Sequence, residues 1–352
     1  MIRRIDIENF KSLKNITLDL QRVNVLIGPN NSGKTNVLNA IELSLNHEKV
    51  KQLGQNEKSR LLYKFGHNNI PKIIIDFSLP DLGDTLQLEV TIFPLKIPQI
   101  KFNTNRPLIQ SSFEKHYKSA RVYSINTHYL TKSYPLLPGN ELVHSDAANL
   151  VAFLDFLRDH HPDVFQNIQR DLTNCIPEIT QIRFDNVNPT EEEIRKFGDK
   201  TFKKIGLFSQ DTQQIFWSEE LSEGILYLLA LLCIIHQPHP PRLLLLEEPE
   251  RGIHPRRIKE VIGFLKQLAY QRDIQIILTT HSPLVLDEFA ETPESVFVFD
   301  KDAEGASTVN NLQKDVIEPY YQKCSEKGIV PHNYTDALGD NWTIGFLGGV
   351  PK

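Results

Sequence analysis

Apolar residues recur at strand-like intervals from the start of the chain. Residues 2–7, 16–18 and 23–27 each predict a short strand, and the third runs straight into a glycine-containing turn. Beyond that turn the period changes: Val37, Leu38, Ile41 and Leu45 recur at spacings of three and four, which predicts a helix over residues 35–45. Residues 49–69 are polar and charged. Strand-like runs return at 72–77 and 87–93 around a turn at 80–83, so a small antiparallel sheet is expected there. Residues 94–140, rich in Pro, Asn and Ser, hold one further strand candidate at 120–125.

In residues 147–172, Leu150, Phe153, Leu154, Leu157, Val164, Phe165 and Ile168 fall at helical spacing around Pro162, which predicts two helices. Strands and a charged loop are expected over 179–204. A strand near Ile205 comes next, followed by a helix at 222–235, a strand at 243–246, a helix at 255–270, a strand at 275–278, a short helix at 283–289 and a strand at 295–300. Alternating strands and helices predict an α/β fold whose sheet contains parallel strands and is covered on both faces.

At ~150 residues per domain, 352 residues make roughly two domains, or one large domain carrying an insertion. With 39 Lys and Arg against 44 Asp and Glu, the formal charge is -5, which excludes a protein that coats nucleic acid by bulk charge. A nucleic-acid contact would need a local patch. The basic runs at 195–204 and 256–259 read as solvated faces, with a phosphate-backbone contact as the sharper alternative. The longest apolar stretch, 225–235, falls short of the ~20 residues that span a bilayer, and the opening residues lack the apolar core of a signal peptide. A soluble, cytoplasmic protein without a membrane partner is expected. Cys175, Cys233 and Cys324 give neither a disulfide framework nor a metal-binding CxxC spacing.

The sharpest chemical signal is Gly28-Pro-Asn-Asn-Ser-Gly-Lys34-Thr35, which matches G-x-x-x-x-G-K-[ST] between a predicted strand and a predicted helix. Gly28 and Gly33 let the backbone wrap a phosphate with its N–H groups, Lys34 reaches the β- and γ-phosphates, and the Thr35 hydroxyl holds Mg²⁺. Asn30, Asn31, Ser32 and Asn36 complete the candidate ATP-binding loop. The second signal is Arg242-Leu-Leu-Leu-Leu-Glu247-Glu248-Pro249-Glu250, an apolar strand ending in paired carboxylates. Such carboxylates can hold the shell of Mg²⁺ and polarise an attacking water, so Glu247 is assigned to the metal and Glu248 to general base catalysis, with Glu250 and His281 next in line for the base. By itself Leu221-Ser222-Glu223-Gly224 reads as a capped core helix, and Thr279-Thr280-His281-Ser282-Pro283 as a loop histidine after a strand.

Together and in this order, these segments resemble the ABC-type ATPases of the SMC, RecF and OLD (overcoming lysogenization defect) group. Asn9-Phe10-Lys11-Ser12, the P-loop, the LSEG signature, the EEPE form of Walker B, Gly252-Ile253-His254-Pro255 at the D-loop position and the TTHSP switch carry the resemblance. The helical stretch at 148–172 and the ending from Leu338 to Pro351 look like the short stand-alone AAA-family ATPases of bacterial defence modules. The resemblance implies an ABC-type P-loop NTPase head, with a mixed sheet flanked by helices, a small antiparallel β-subdomain and a helical insertion. Residues 1–93 would form an N-terminal ATPase lobe, 94–204 a partly helical insertion, 205–310 a C-terminal lobe and 311–352 a tail.

It further implies a homodimer that sandwiches two ATP molecules head to tail. Ser222 and Gly224 would then touch the γ-phosphate held by the other subunit, His281 would sense that phosphate, and Lys11 would contact phosphate. Gln99 and Gln110 are Q-loop candidates by position alone, and the long SMC coiled coil is missing. The function expected is an ATPase that dimerises around ATP and regulates a nucleic-acid-directed or antiphage effector. A separate polypeptide, a nuclease or Toprim-like protein, would be that effector, with DNA or RNA as a further partner. Two alternatives are an ATP-stabilised, non-catalytic scaffold and a self-contained Toprim-like nuclease built on Asp300 and Asp302. That aspartate pair also reads as a strand end followed by a solvated turn. Tyr320, Tyr321, Trp342 and Phe346 in the tail suit protein docking as well as core packing.

Overall fold

The strand that precedes the P-loop, Val23–Ile27, is buried at all five positions. Its two parallel neighbours, Gln275–Thr280 and Val296–Lys301, come from late in the chain. Leu243–Glu247 lies parallel on the far side of Gln275–Thr280, and Ser307–Asn311 pairs antiparallel with Val296–Lys301. With the two-residue strand Val122–Tyr123 at its other edge, this makes a six-stranded mixed sheet. Its central strands are buried throughout and mostly apolar, with Asn24, Gln275, Thr279 and Thr280 as the polar exceptions. The structure is a computed structural model that describes residues 1–349 except 64–68, 80–83, 94, 95, 97, 105, 118, 119, 137–140, 239, 252 and 332.

A second, antiparallel sheet has the strand order Leu13–Asp19, Ile2–Phe10, Lys72–Leu79, Asp84–Thr91, Gln99–Phe102. The antiparallel pair expected around 80–83 is present, and it is part of a larger sheet: Ile5 pairs with Ile75 and Ile7 with Ile73, so the two opening strands join it. The expected turn at 80–83 lies outside the described residues. Alternation sends Ile5, Ile7, Ile73, Ile75, Leu88 and Val90 into one core with Val37, Leu38 and Ile41 of the P-loop helix. The antiparallel sheet and the five longer strands of the mixed sheet belong to a compact unit formed by Met1–Val122, Arg242–Glu250 and Ile258–Lys352.

The other unit comprises Tyr123–Pro241 and Arg251–Arg257. The strand expected near Ile205 is Phe202–Ser209, and it pairs antiparallel with Ile179–Val187 and with Gln214–Trp217. Leu150–His160 and Pro162–Cys175 are the two expected helices, with Pro162 in the first turn, where its missing N–H costs nothing. The charged segment read as loop contains a helix, Glu191–Phe197, held by a capping box between Thr190 and Glu193. The strand expected over 120–125 shrinks to Val122–Tyr123.

At the C-terminal end the helix Leu338–Thr343 buries Leu338 and Trp342 and packs on the short helix Pro283–Asp287. The Gly339 N–H donates to Asp287 Oδ1 at 2.7 Å, and a Cβ at Gly339 would come within 2.5 Å of the Pro283 carbonyl oxygen. Trp342 is therefore a core residue, whereas Tyr321 and Phe346 are exposed. Among the described residues no helix is long and apolar enough to cross a membrane.

Candidate nucleotide site

The P-loop is built on backbone that most residues avoid. Gly28, Asn31 and Gly33 have φ of 153°, 65° and 108°. A Cβ on Gly33 would stand 2.2 Å from Ser307 Oγ and 2.9 Å from Ser12 Oγ, so strain and space both demand glycine. Gly33 is also the N-cap of the helix Lys34–Leu45, and no side chain caps that helix end. Its first-turn N–H groups and the positive end of its dipole therefore face the loop, an arrangement that fits a phosphate.

Lys34 is buried, and its ammonium donates to the Gly28 carbonyl at 2.8 Å and to the Pro29 carbonyl at 2.9 Å, with Ser32 Oγ at 3.5 Å. Desolvation lowers its pKa to about 8, opposed by the charges of Glu248, Glu250 and Glu247. Thr35 Oγ1 donates to Glu247 Oε1 at 2.7 Å, so the hydroxyl and carboxylate assigned to Mg²⁺ meet across adjoining elements. This all-oxygen pair beside a lysine suits a hard divalent ion bound together with phosphate. Asn30 and Asn31 are exposed at the loop tip, and Ser32 is buried beneath it. The Asn36 amide donates to Ser12 Oγ, 2.9 Å away, and Ser12 Oγ is 2.8 Å from Ser307 Oγ. Those two serines brace the loop from behind, and no sequence motif points to Ser307.

Glu248 follows the strand Leu243–Glu247 with φ 46°, a left-handed conformation that is costly for a side-chain-bearing residue and typical of functional sites. Its N–H donates to the Thr279 carbonyl at 3.1 Å, which fixes the turn. His281 Nε2 lies 2.9 Å from Glu248 Oε1, and His281 Nδ1 lies 3.5 Å from Lys34 Nζ. A neutral ring with its proton on Nε2 satisfies both contacts. Desolvation, followed by the Lys34 charge, lowers the His281 pKa, while Glu248 raises it. Glu250 sits beside the pair: its Oε1 accepts from Thr280 Oγ1 at 2.5 Å and from the His281 N–H at 3.2 Å. Burial raises the Glu250 pKa, with the Glu248 charge adding to the rise.

The P-loop, Glu247, Glu248 and His281 are thus gathered in one compact unit. Lys11, at φ 52° in the turn between the opening strands, holds its ammonium 5.6 Å from the centre of the Phe10 ring, and burial lowers its pKa. Ser222 and Gly224 belong to the other unit. There Ser222 caps the helix Glu223–Ile235 by accepting from the Ile225 N–H, and a Cβ at Gly224 would meet the Arg257 side chain only at ordinary contact distance, 3.7 Å. Gly252, at the expected D-loop position, lies outside the described residues. Gln99 is exposed on the outer antiparallel strand and Gln110 lies on the helix Pro107–Tyr117. Asp302 accepts from the Glu304 and Ala306 N–H groups within a turn, and Asp300 Oδ1 accepts from the Lys301 N–H.

The sequence model of the family described as "AAA domain, putative AbiEii toxin, Type IV TA system" matches residues 23–287. The OLD nuclease of Thermus scotoductus is 24% identical over 82% of this chain and 60% of its own length. An energy-coupling factor transporter ATP-binding protein of Enterococcus faecalis is 28% identical over 33% of this chain and 38% of its own. The chain therefore matches between about two fifths and three fifths of the length of these two relatives. Among solved structures, an Smc head bound to the C-winged helix domain of ScpA superposes with a TM-score of 0.58 at 18% identity, covering 88% of this chain and 96% of that one. The Pyrococcus furiosus Smc head with an extended coiled coil gives 0.57 at 15% identity, over 93% and 98%. The fold is that of an ABC-type P-loop head.

Proposed function

Since the chain belongs to the family described as "AAA domain, putative AbiEii toxin, Type IV TA system", within the SMC/RecF/OLD-like group of ABC-type ATPases, we propose that it binds ATP with Mg²⁺ and hydrolyses it to ADP and phosphate. Two pairings on neighbouring strand ends support this: Thr35 with Glu247, and Glu248 with His281, both beside the uncapped helix end of the P-loop. Bound Mg²⁺ would supply neutralisation of phosphate charge, held by the Thr35 hydroxyl and Glu247. Lys34 and the loop N–H groups bind the β- and γ-phosphates. Glu248 accepts a proton from the attacking water as its oxygen bonds to the γ-phosphorus and the bond to the bridging oxygen of ADP breaks. His281, neutral at Nδ1, holds Glu248 in place and faces the γ-phosphate.

On this proposal residues 1–93 and 205–310 act as the two lobes of the ATPase, 94–204 as an insertion and 311–352 as a tail. ATP joins two copies head to tail, with Ser222 and Gly224 of each copy completing the site of the other and Lys11 contacting phosphate. Hydrolysis resets a cytoplasmic switch that governs a separate effector acting on nucleic acid or against phage. The test is phosphate release by the purified chain with ATP and Mg²⁺, alongside light scattering. Multiple turnovers with an ATP-dependent doubling of mass are expected. Stoichiometric ATP retention without turnover would make the protein a scaffold, and DNA or RNA cleavage by the isolated chain, abolished by Asp300→Ala, would make it a nuclease.

A further inference from the structure

The last glutamate of the EEPE segment has no role in the mechanism above, yet one of its carboxyl oxygens is buried. Glu250 Oε1 takes two hydrogen bonds from consecutive residues, the Thr280 hydroxyl at 2.5 Å and the His281 N–H at 3.2 Å. Thr280 Oγ1 in turn accepts from the Ser282 N–H at 2.9 Å. One carboxyl oxygen thereby ties down the whole 280–282 turn on which the His281 ring is carried. Glu250 Oε2 is buried and makes no hydrogen bond among the described residues. A half-satisfied buried carboxyl is a costly choice where a neutral side chain would pack. Such a group is retained when its remaining bonds do something specific.

We infer that Glu250 is a positioning residue: by anchoring the 280–282 turn through Thr280 and the His281 backbone, it aims His281 Nε2 at Glu248 and so keeps the base correctly oriented. The inference rests on the ATPase proposal for its catalytic consequence but not for its geometry. Glu250 touches neither the P-loop lysine nor the Thr35 hydroxyl in any contact described above, and it acts through His281. What the turn needs is an acceptor oxygen, not a charge. Burial favours the protonated carboxyl, in keeping with that requirement. Glutamine supplies the same oxygen at the same reach, and alanine supplies none.

The experiment compares Glu250→Gln, Glu250→Ala and Thr280→Val in the full chain. Thr280→Val removes the stronger donor and serves as the independent variant should Glu250→Ala fold poorly. Turnover with Mg-ATP, ATP affinity and the ring ¹⁵N and ¹H signals of His281 are measured, the last assigned by difference with His281→Gln. Glu250→Ala and Thr280→Val are expected to lower kcat by about 10–100-fold, as misplaced catalytic groups do, with ATP affinity nearly unchanged and the His281 signals shifted. Glu250→Gln is expected to recover most of the rate and the wild-type His281 signals. Unmoved His281 signals in Glu250→Ala would overturn the inference, as would a glutamine variant as impaired as alanine. If the wild-type chain does not turn over ATP, the ATPase proposal fails, and the His281 signals alone still decide whether Glu250 positions the ring.

Discussion

His281 Nε2 and Glu248 Oε1 stand 2.9 Å apart, although the two residues leave different parallel strands and Glu248 does so with a left-handed backbone. Each residue directly follows the end of its strand, so the register between the two strands sets where both side chains begin. The strand register Leu246↔Leu278 and Glu247↔Thr279 is therefore what brings the pair together.

Glu248→Gln should bind ATP and barely hydrolyse it, since a positioned base is worth roughly 10²–10⁴ in rate. The variant should accumulate as an ATP-bound dimer, seen as a rise in mass by light scattering when ATP is added. A near-wild-type rate would move the base role to another group.

Lys34→Ala removes the ammonium that the loop carbonyls hold in place. Charge-assisted hydrogen bonds of this kind contribute about 1.5–3 kcal/mol each, so ATP affinity should fall by roughly tenfold or more while the circular dichroism spectrum is unchanged. Calorimetry showing wild-type affinity would displace the nucleotide site from this loop.

Ser222→Arg tests the composite site. Arginine removes the side-chain cap of the helix Glu223–Ile235, at a cost of about 1 kcal/mol, and should leave ATP binding by each monomer intact while blocking dimer closure and turnover. Mixed with Lys34→Ala, it should regain at most one working site per heterodimer. Normal hydrolysis by Ser222→Arg alone would reduce the signature segment to a capped core helix.

Glu250 gives stability a pH dependence of known sign. Its folded pKa is raised above the usual 4.5 by burial and by Glu248, against the hydrogen bonds from Thr280 and the His281 backbone, with Lys34 as the nearby cation. Above 4.5 the unfolded chain releases this proton first, so the contribution of the group is intact below 4.5 and is lost as pH rises through the folded value. Glu250→Gln lacks that loss. In urea titrations the stability of the variant relative to wild type should climb with pH across this window and then level off, and a flat difference would count against the buried, raised carboxyl.

The local parts of the fold were readable because local chemistry encodes them. Val37, Leu38, Ile41 and Leu45 marked the P-loop helix, Pro162 separated two helices, and Ser222 announced a helix start. The helix Glu191–Phe197 escapes the apolar pattern because five of its seven residues are charged, three of them ahead of its only Ile, even though Thr190 and Glu193 form the cap that signals it. Pairings between distant strands left no trace in the pattern: nothing around Ile5 or Ile75 says that they meet. The site divides in the same way. The P-loop and the EEPE strand carry recognisable spacing, whereas the Glu250 clamp and the Ser12–Ser307 brace depend on tertiary contacts that span 30 and 295 residues.

That separation also fixes when the site can first exist. Val25 pairs with Leu278 on one side and with Val296 on the other, so the P-loop strand has no partner in its own sheet until the ribosome has passed residue 275. At ~5–20 residues per second, an apolar strand of five residues waits on the order of tens of seconds with both edges open. Nascent or truncated chains that stop before residue 275 therefore carry the motif without the pocket. The loop gains the neighbours that shape it only once the two strands within residues 275–301 have been added.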